Sequence, residues 1–301
     1  MAIVKEPERP ALPAKVPSSR VHATLALDFR HDPLSGNTVL AASSQSPPLR
    51  VVRAFRLDDG SALAHLHNVS GGLVGGDCLA LCVRVGARAS VQLTTTGATR
   101  IYRSPANSSA TTQSTAIDVG ENALLEYVPD PLIPFAGACF SQRTTIHLAE
   151  GAGLYWWEIL APGREARGEV FEYERVEMRS ELSARGRRIG AERVRLEPRH
   201  RELWSLARLG PCRYWATFYI CRVGPEPGVW LATEQRLREV ARELTQPGRV
   251  LWGISTLAAH GLVVRCLARH GRDVLPGLYA LWSVSKLLLF GREAVRPRKV
   301  N

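Results

Sequence analysis

Lysine is nearly missing from this 301-residue chain. Only Lys5, Lys15, Lys286 and Lys299 occur, and every other basic side chain, histidine apart, is arginine. A dedicated nucleic-acid binder usually mixes the two and carries a reading motif, and neither holds here. Cysteine is sparse too. Six in the whole chain exclude a disulfide scaffold and are expected as reduced thiols. The most apolar late stretch, Gly277 to Phe290, is interrupted by Ser283, Ser285 and Lys286. It falls short of the roughly 20 residues that span a bilayer. The N-terminus lacks the apolar core of a secretory signal. These absences lead to the expectation of a cytoplasmic protein with no membrane partner. Catalytic signatures are missing as well, with no G-x-S-x-G elbow and no H-E-x-x-H helix.

What is present describes a packed chain. Hydrophobic residues make up 45% and charged residues 22%, which excludes global disorder. The length allows one large domain or two small ones, at roughly 100–200 residues each. The formal net charge of +11, carried by arginine, fits an acidic partner because the guanidinium makes planar, bidentate contacts. A GC-rich coding bias gives the same composition.

Residues 1–19 hold four prolines among charges and few apolar side chains, and read as a disordered tail. Residues 20–295 read as a single domain, strand-rich over 20–228 and helix-containing over 229–295. Val91 and Leu93 alternate with Ser90, Gln92 and Thr94, a period of two. Ala123 to Val128 follows a turn at Gly120-Glu121-Asn122 and must stop at Pro129-Asp130-Pro131, since proline cannot serve a central ladder. Phe171 and Tyr173 share one phase and Val176 and Met178 the other, which predicts a β-bulge within one extended run. Leu237, Val240, Ala241 and Leu244 mark an amphipathic helix with Thr233 as N-cap and Gly248 beyond its end. A strand is predicted over 249–257, and a second helix from Leu275 or Pro276 to Phe290 with Gly291 as its stop. Residues 296–301 form a basic tail.

The residues themselves leave several chemistries open. Gly71 to Gly76 is the densest glycine cluster, yet Asp77 and Cys78 stand where a phosphate loop needs Lys and Ser/Thr. Tight turns between approaching backbones are the plainer reading. His65 and His67 share a strand face, and Cys266 and His270 would share one helical turn, but neither pair has the spacing of a structural zinc site. Trp156-Trp157-Glu158 sets a carboxylate against aromatic surface, an environment that raises its pKa. With Glu126, Asp130, Glu165 and Glu169 it offers a glycosidase-like pair of carboxylates. The arginines from Arg164 to Arg213 alternate with glutamates, as on a salt-bridged strand surface. A basic nucleic-acid-binding β protein is the alternative reading.

Four ordered segments carry a resemblance. They are Asn68 to Asp77 (NVSGGLVGGD), Thr94 to Ser104 (TTTGATRIYRS), Leu125 to Phe135 (LEYVPDPLIPF), and Glu158 followed by Gly163 to Phe171 (GREARGEVF). In this order and spacing, over about residues 20–185, the chain resembles the urease accessory protein UreD family, also called UreH. Thr96-Gly97 and Arg100 depart from the family's usual Gln and Ala-Thr-Lys, and Ala161-Pro162 from its small or apolar run.

The resemblance implies a mainly β fold, an open, helix-like stack of strands with a small C-terminal helical portion. It implies a non-enzymatic urease maturation scaffold that joins UreF and the GTPase UreG to apo-urease, in a dimer of heterotrimers. It further implies transient Ni2+, no tightly bound cofactor, and an internal polar passage for the ion. The carboxylates within the matching segments, Asp77, Glu126, Asp130, Glu158 and Glu169, are the candidate stops on that path. Each has an alternative fate as an acid paired with Arg100, Arg103, Arg164 or Arg167. Arg164 and Arg167 are the candidate docking residues.

Overall fold

A computed structural model describes residues 21–105 and 109–297. The expected tail at 1–19 and residues 298–301 lie outside that range. The chain opens with β1 (His22–His31), β2 (Thr38–Gln45), β3 (Leu49–Arg50) and β4 (Ala54–Arg56). It then winds between two sheets. β5 (Ala62–Asn68), β7 (Ser90–Thr95), β10 (Leu124–Tyr127) and β13 (Gly153–Leu160) lie parallel in one sheet. β6 (Cys78–Val85), β9 (Thr111–Val119), β12 (Cys139–Leu148) and β14 (Arg175–Ala184) lie parallel in the other. The short strands β8 (Thr99–Ile101) and β11 (Leu132–Pro134) pair with each other at the side. Each turn of the chain therefore adds one strand to each sheet, the helix-like stack the resemblance implies.

Antiparallel strands finish the stack. β2 pairs β1, and β15 (Arg187–Leu196) pairs β14. β16 (Tyr214–Arg222) pairs β13 and carries the hairpin of β17 (Val250–Thr256) and β18 (Gly261–Ala268). One sheet has seven strands, β15-β14-β12-β9-β6-β1-β2, and faces the eleven-stranded second sheet.

Period-two alternation explains the packing. Leu25, Leu27 and Phe29 of β1 are buried while their neighbours face out. Between the sheets they meet Val91, Leu93, Ile117, Ile146, Leu154 and Trp156 in one apolar cluster. Phe140, Leu160, Tyr173 and Val176 belong to a second cluster. Outside the larger sheet, α1 (Pro227–Leu244) and α2 (Val274–Phe290) cover a third, built on Tyr155, Trp157, Phe218 and Trp282. The aromatic and β-branched side chains of β13 and β16 suit a sheet buried on both faces.

The second predicted helix and the strand at 249–257 stand, with Gly291 in the left-handed conformation that closes α2. Four expectations change. α1 begins earlier, at Pro227, whose fixed φ suits a first turn. Thr233 is therefore inside the helix, where its hydroxyl donates to the Val229 carbonyl at 2.7 Å. The phase change after Phe171 is not a bulge, because Phe171 takes a φ of +58° ahead of β14, and the bulge falls later, between Leu182 and Ser183. Cys266 lies in β18 rather than on a helix, so it does not share a helical turn with His270. Gly271–Phe290 is in fact helical for 20 residues and apolar enough by length and composition to cross a membrane. It packs on the sheet, and its one lysine, Lys286, is 1% exposed.

Candidate functional site: a polar band through the strand stack

Register places polar side chains in lines that cross the strands. On the inner face of the seven-stranded sheet Thr115, Thr144, Ser180 and Glu192 are successive partners on β9, β12, β14 and β15. On the facing sheet Glu158, Thr217 and Arg265 are successive partners on β13, β16 and β18. Gln113 and Gln142 pair one step along. The next step in the other direction is dry, with Ile117, Ile146 and Leu182 aligned. A polar layer thus separates the two interior apolar clusters.

A cavity of about 250 Å³ occupies part of this layer. Thr96, Gly97 and Arg100 line its exposed side, and Gln142, Thr144, Trp156 and Glu158 line its interior. Asp130 lines it as well; its carboxylate accepts from the Thr95 hydroxyl at 2.9 Å, and its N–H donates back to that oxygen at 2.8 Å. Tight backbone approach shapes the mouth. Leu73 N–H donates to the Arg100 carbonyl at 2.8 Å, and a Cβ on Gly72 would lie 2.8 Å from that same oxygen.

Glu158 is the interior carboxyl. The Gln142 amide donates to it in a close hydrogen bond. Burial raises its pKa to about 8, the Glu192 carboxylate pushes the same way, and the Gln142 bond opposes both. Burial thus favours the neutral form of Glu158, which shares its face of β13 with Trp156, while Trp157 points to the helical layer. The hydroxyls of Tyr127 and Tyr219 are raised chiefly by burial, with the charge of Glu158 adding to both.

The sequence candidates divide. Asp130 and Glu158 come together in the cavity, and the other three lie elsewhere. Asp77 ties its own turn, accepting from Val74 N–H at 2.9 Å and Val21 N–H at 3.3 Å. Glu126 accepts from Trp282 Nε1 at 2.9 Å and holds Lys286 Nζ at 2.9 Å, so an internal cation already occupies it. Glu169 is clamped by both arms of Arg164, with Nε 2.7 Å from Oε2. Arg164 also stacks on Phe135 at 4.3 Å, whereas Arg167 is exposed on the one-turn helix Glu165–Arg167. Glu126 and Glu169 are each paired internally with a basic side chain.

Glu165, the remaining glycosidase candidate, takes Arg213 Nη1 at 2.6 Å and Tyr214 OH at 2.8 Å. Among the described residues no three His, Cys, Asp or Glu side chains gather as a metal-holding group. Sequence reasoning passed over Gln142, Thr144, Ser180, Glu192 and Thr217. Their signal is polarity at the inward phase of an apolar strand, as in Phe140, Gln142, Thr144, Ile146 and Leu148.

Fold and site together define a class, a wound strand-stack protein with a cavity of mixed apolar and polar lining between its sheets. The four segments that carry the resemblance all reach that cavity, through Gly71 and Gly72, Thr95 to Arg100, Tyr127, Pro129, Asp130 and Leu132, and Glu158. A family model described as UreD urease accessory protein matches residues 21–301. The chain is 45% identical over 281 residues to the urease accessory protein UreD of Herpetosiphon aurantiacus, spanning 93% of this chain and 97% of that one. It is 32% identical over 287 residues to that of Dechloromonas aromatica, at 93% and 94% coverage. For the one from Halalkalibacterium halodurans the match is 33% over 202 residues, at 67% and 73% coverage. The chain belongs to the UreD urease accessory protein family, and its role lies in urease maturation.

Proposed function

We propose that this chain is a non-catalytic cytoplasmic scaffold that joins UreF and UreG to apo-urease, and that nickel destined for the enzyme passes through this cavity along its polar side chains. The observation that carries the reading is the convergence of all four matching segments on one cavity lined by Asp130 and Glu158. A transfer route needs ligands that hold a divalent ion briefly. Carboxylate, hydroxyl and water oxygens exchange more readily than a closed thiolate cage, and a few acidic stops lower the cost of shedding water.

Asp130, beside the exposed rim, suits capture. Glu158 suits a transient stop, because an arriving cation must displace its proton and the proton's return releases the cation again. Asp77, Glu126 and Glu169 are assigned structural work by their contacts and are left off the path. Arg167, exposed and outward, remains the candidate docking cation.

The test compares urease activity and urease-bound nickel in cells carrying the urease genes, with and without this gene, at limiting nickel. Nickel-poor apo-urease only in its absence supports the role in delivery. Equal activity and equal nickel in both strains overturn it. Asp130→Asn and Glu158→Gln then probe the route itself, and wild-type loading in both removes the cavity from it.

A further inference from the structure

The cavity stops at Thr144 and Glu158, but the polar rows do not. Beyond Glu158 the row continues through Thr217 to Arg265, across two strand spacings or about 10 Å. Beyond Thr144 the facing row continues through Ser180 to Glu192. The two rows end where β15 of one sheet meets the β17–β18 hairpin of the other, a seam pinned at one side by Ala258 N–H donating to the Ile189 carbonyl at 3.1 Å.

Two features of this outer segment are unexplained by packing. The Thr217 side chain is fully buried, and its hydroxyl has no hydrogen-bond partner among the described residues. Natural interiors rarely leave such a group unmatched, and an exception calls for a functional account. The end of the row is then closed by charge rather than by apolar side chains. Glu192 accepts from Tyr219 OH at 2.8 Å and from Arg265 at 2.9 and 3.2 Å. The Glu192 side chain is 16% exposed and that of Arg265 is 50% exposed, so the guanidinium sits over the carboxylate from the solvent side. A half-exposed ion pair is weakly held and opens easily.

We propose that Arg265 is a latch over a second mouth of the cavity, at the β15–β18 seam, with Glu192 and Thr217 as the oxygen ligands that receive a divalent cation when the latch swings out. This rests on the cavity being the cation route. Arg265 stands on Glu192 as a tethered counter-ion. While it is in place the outer carboxylate is neutralised and the row is shut. When it moves to solvent, Glu192 offers a carboxylate one step beyond the Thr217 hydroxyl, and an ion at Glu158 can leave on the side opposite the Asp130 rim.

The experiment has two arms. In the first, Thr217→Cys is treated in the full chain with a small water-soluble methanethiosulfonate, and labelling is located by mass spectrometry. Buried Cys221 and Cys266 report any unfolding. Adding Arg265→Gln should speed labelling at position 217 by roughly tenfold with Cys221 and Cys266 still protected. An unchanged rate overturns the latch.

In the second arm, urease activation is followed at limiting nickel in the complete accessory complex. Glu192→Gln and Thr217→Val should each slow loading several-fold, with thermal midpoint and complex formation unchanged. If both load at the wild-type rate while Asp130→Asn and Glu158→Gln are slow, the second mouth is overturned and the cavity route stands. If all four load at the wild-type rate, the cavity route itself has failed.

Discussion

Glu126 on β10 and Lys286 on α2, 160 residues apart in sequence, form a buried ion pair beneath the helical layer. Trp282 completes it through its indole N–H. Removing one partner of a buried pair costs about 3–5 kcal/mol, because the other is left unmatched. Lys286→Met should therefore lower the thermal midpoint by about 10 °C. Burial already pushes the Glu126 carboxyl up, with Lys286 opposing. Without the lysine, stability should be highest at acid pH and fall as pH rises through the raised carboxyl pKa. Glu126→Gln together with Lys286→Met keeps the acceptor for Trp282 and should recover most of the loss. Calorimetry of the wild type and these two variants decides it.

Glu158 makes a pH prediction of its own. Its folded pKa, about 8, exceeds the ordinary value of 4.5, so the unfolded chain ionises first as pH rises. The wild type should lose stability between those two values, by at most about 1.4 kcal/mol per unit of pH. Glu158→Gln cannot ionise. Urea midpoints of the two proteins should agree near pH 4 and separate in favour of the variant up to pH 8.

Glycine tolerance at the cavity mouth should be uneven. A methyl group at Gly72 meets the Arg100 carbonyl and the Tyr102 ring, whereas one at Gly97 meets nothing within 4 Å. Gly72→Ala should cost about 1–3 kcal/mol through forced backbone movement. Gly97→Ala should stay within about 0.5 kcal/mol of wild type. Equal denaturant midpoints for the two would contradict the close approach of the loop to residues 100–102.

Charge reversal separates the two docking candidates. Arg164→Glu breaks the Glu169 clamp and the Phe135 stack, so its effect mixes folding with binding. Arg167→Glu touches neither. It should leave the thermal midpoint unchanged and weaken assembly with the other accessory proteins several-fold, most clearly at low salt, since exposed charges are screened. Assembly at wild-type strength in size-exclusion chromatography removes Arg167 from the interface.

Much of the fold was legible because the strands alternate cleanly and their breaks are chemical. Pro129 and Pro131 ended β10, and Gly291 ended α2, as a missing donor and a left-handed glycine require. The start of α1 was missed because Thr233 looks like a cap, while the true first turn rests on Pro227. Glu158 was legible beside two tryptophans. The separation of Asp130 from Glu126, only four positions away, was not. A strand end and a loop turn them to different sides, one toward the cavity and the other toward α2. Ser180, Glu192 and Thr217 escaped notice because each meets its neighbours through lateral register, which pairs residues distant along the chain.

That lateral register has a consequence for how such a protein tolerates change. Its inner rows are written across the weave, one thread per coil, and its rim, with Asp130 and Thr96, is carried on connecting loops. Lengthening a loop away from that rim leaves the strand-borne oxygens where they were. Inserting a single residue inside β12 ahead of Gln142 turns Gln142 and Thr144 outward and brings Arg143 to the inner face. The same slip turns the buried Ile146 and Leu148 out of the core, so the line and the packing of β12 are lost together.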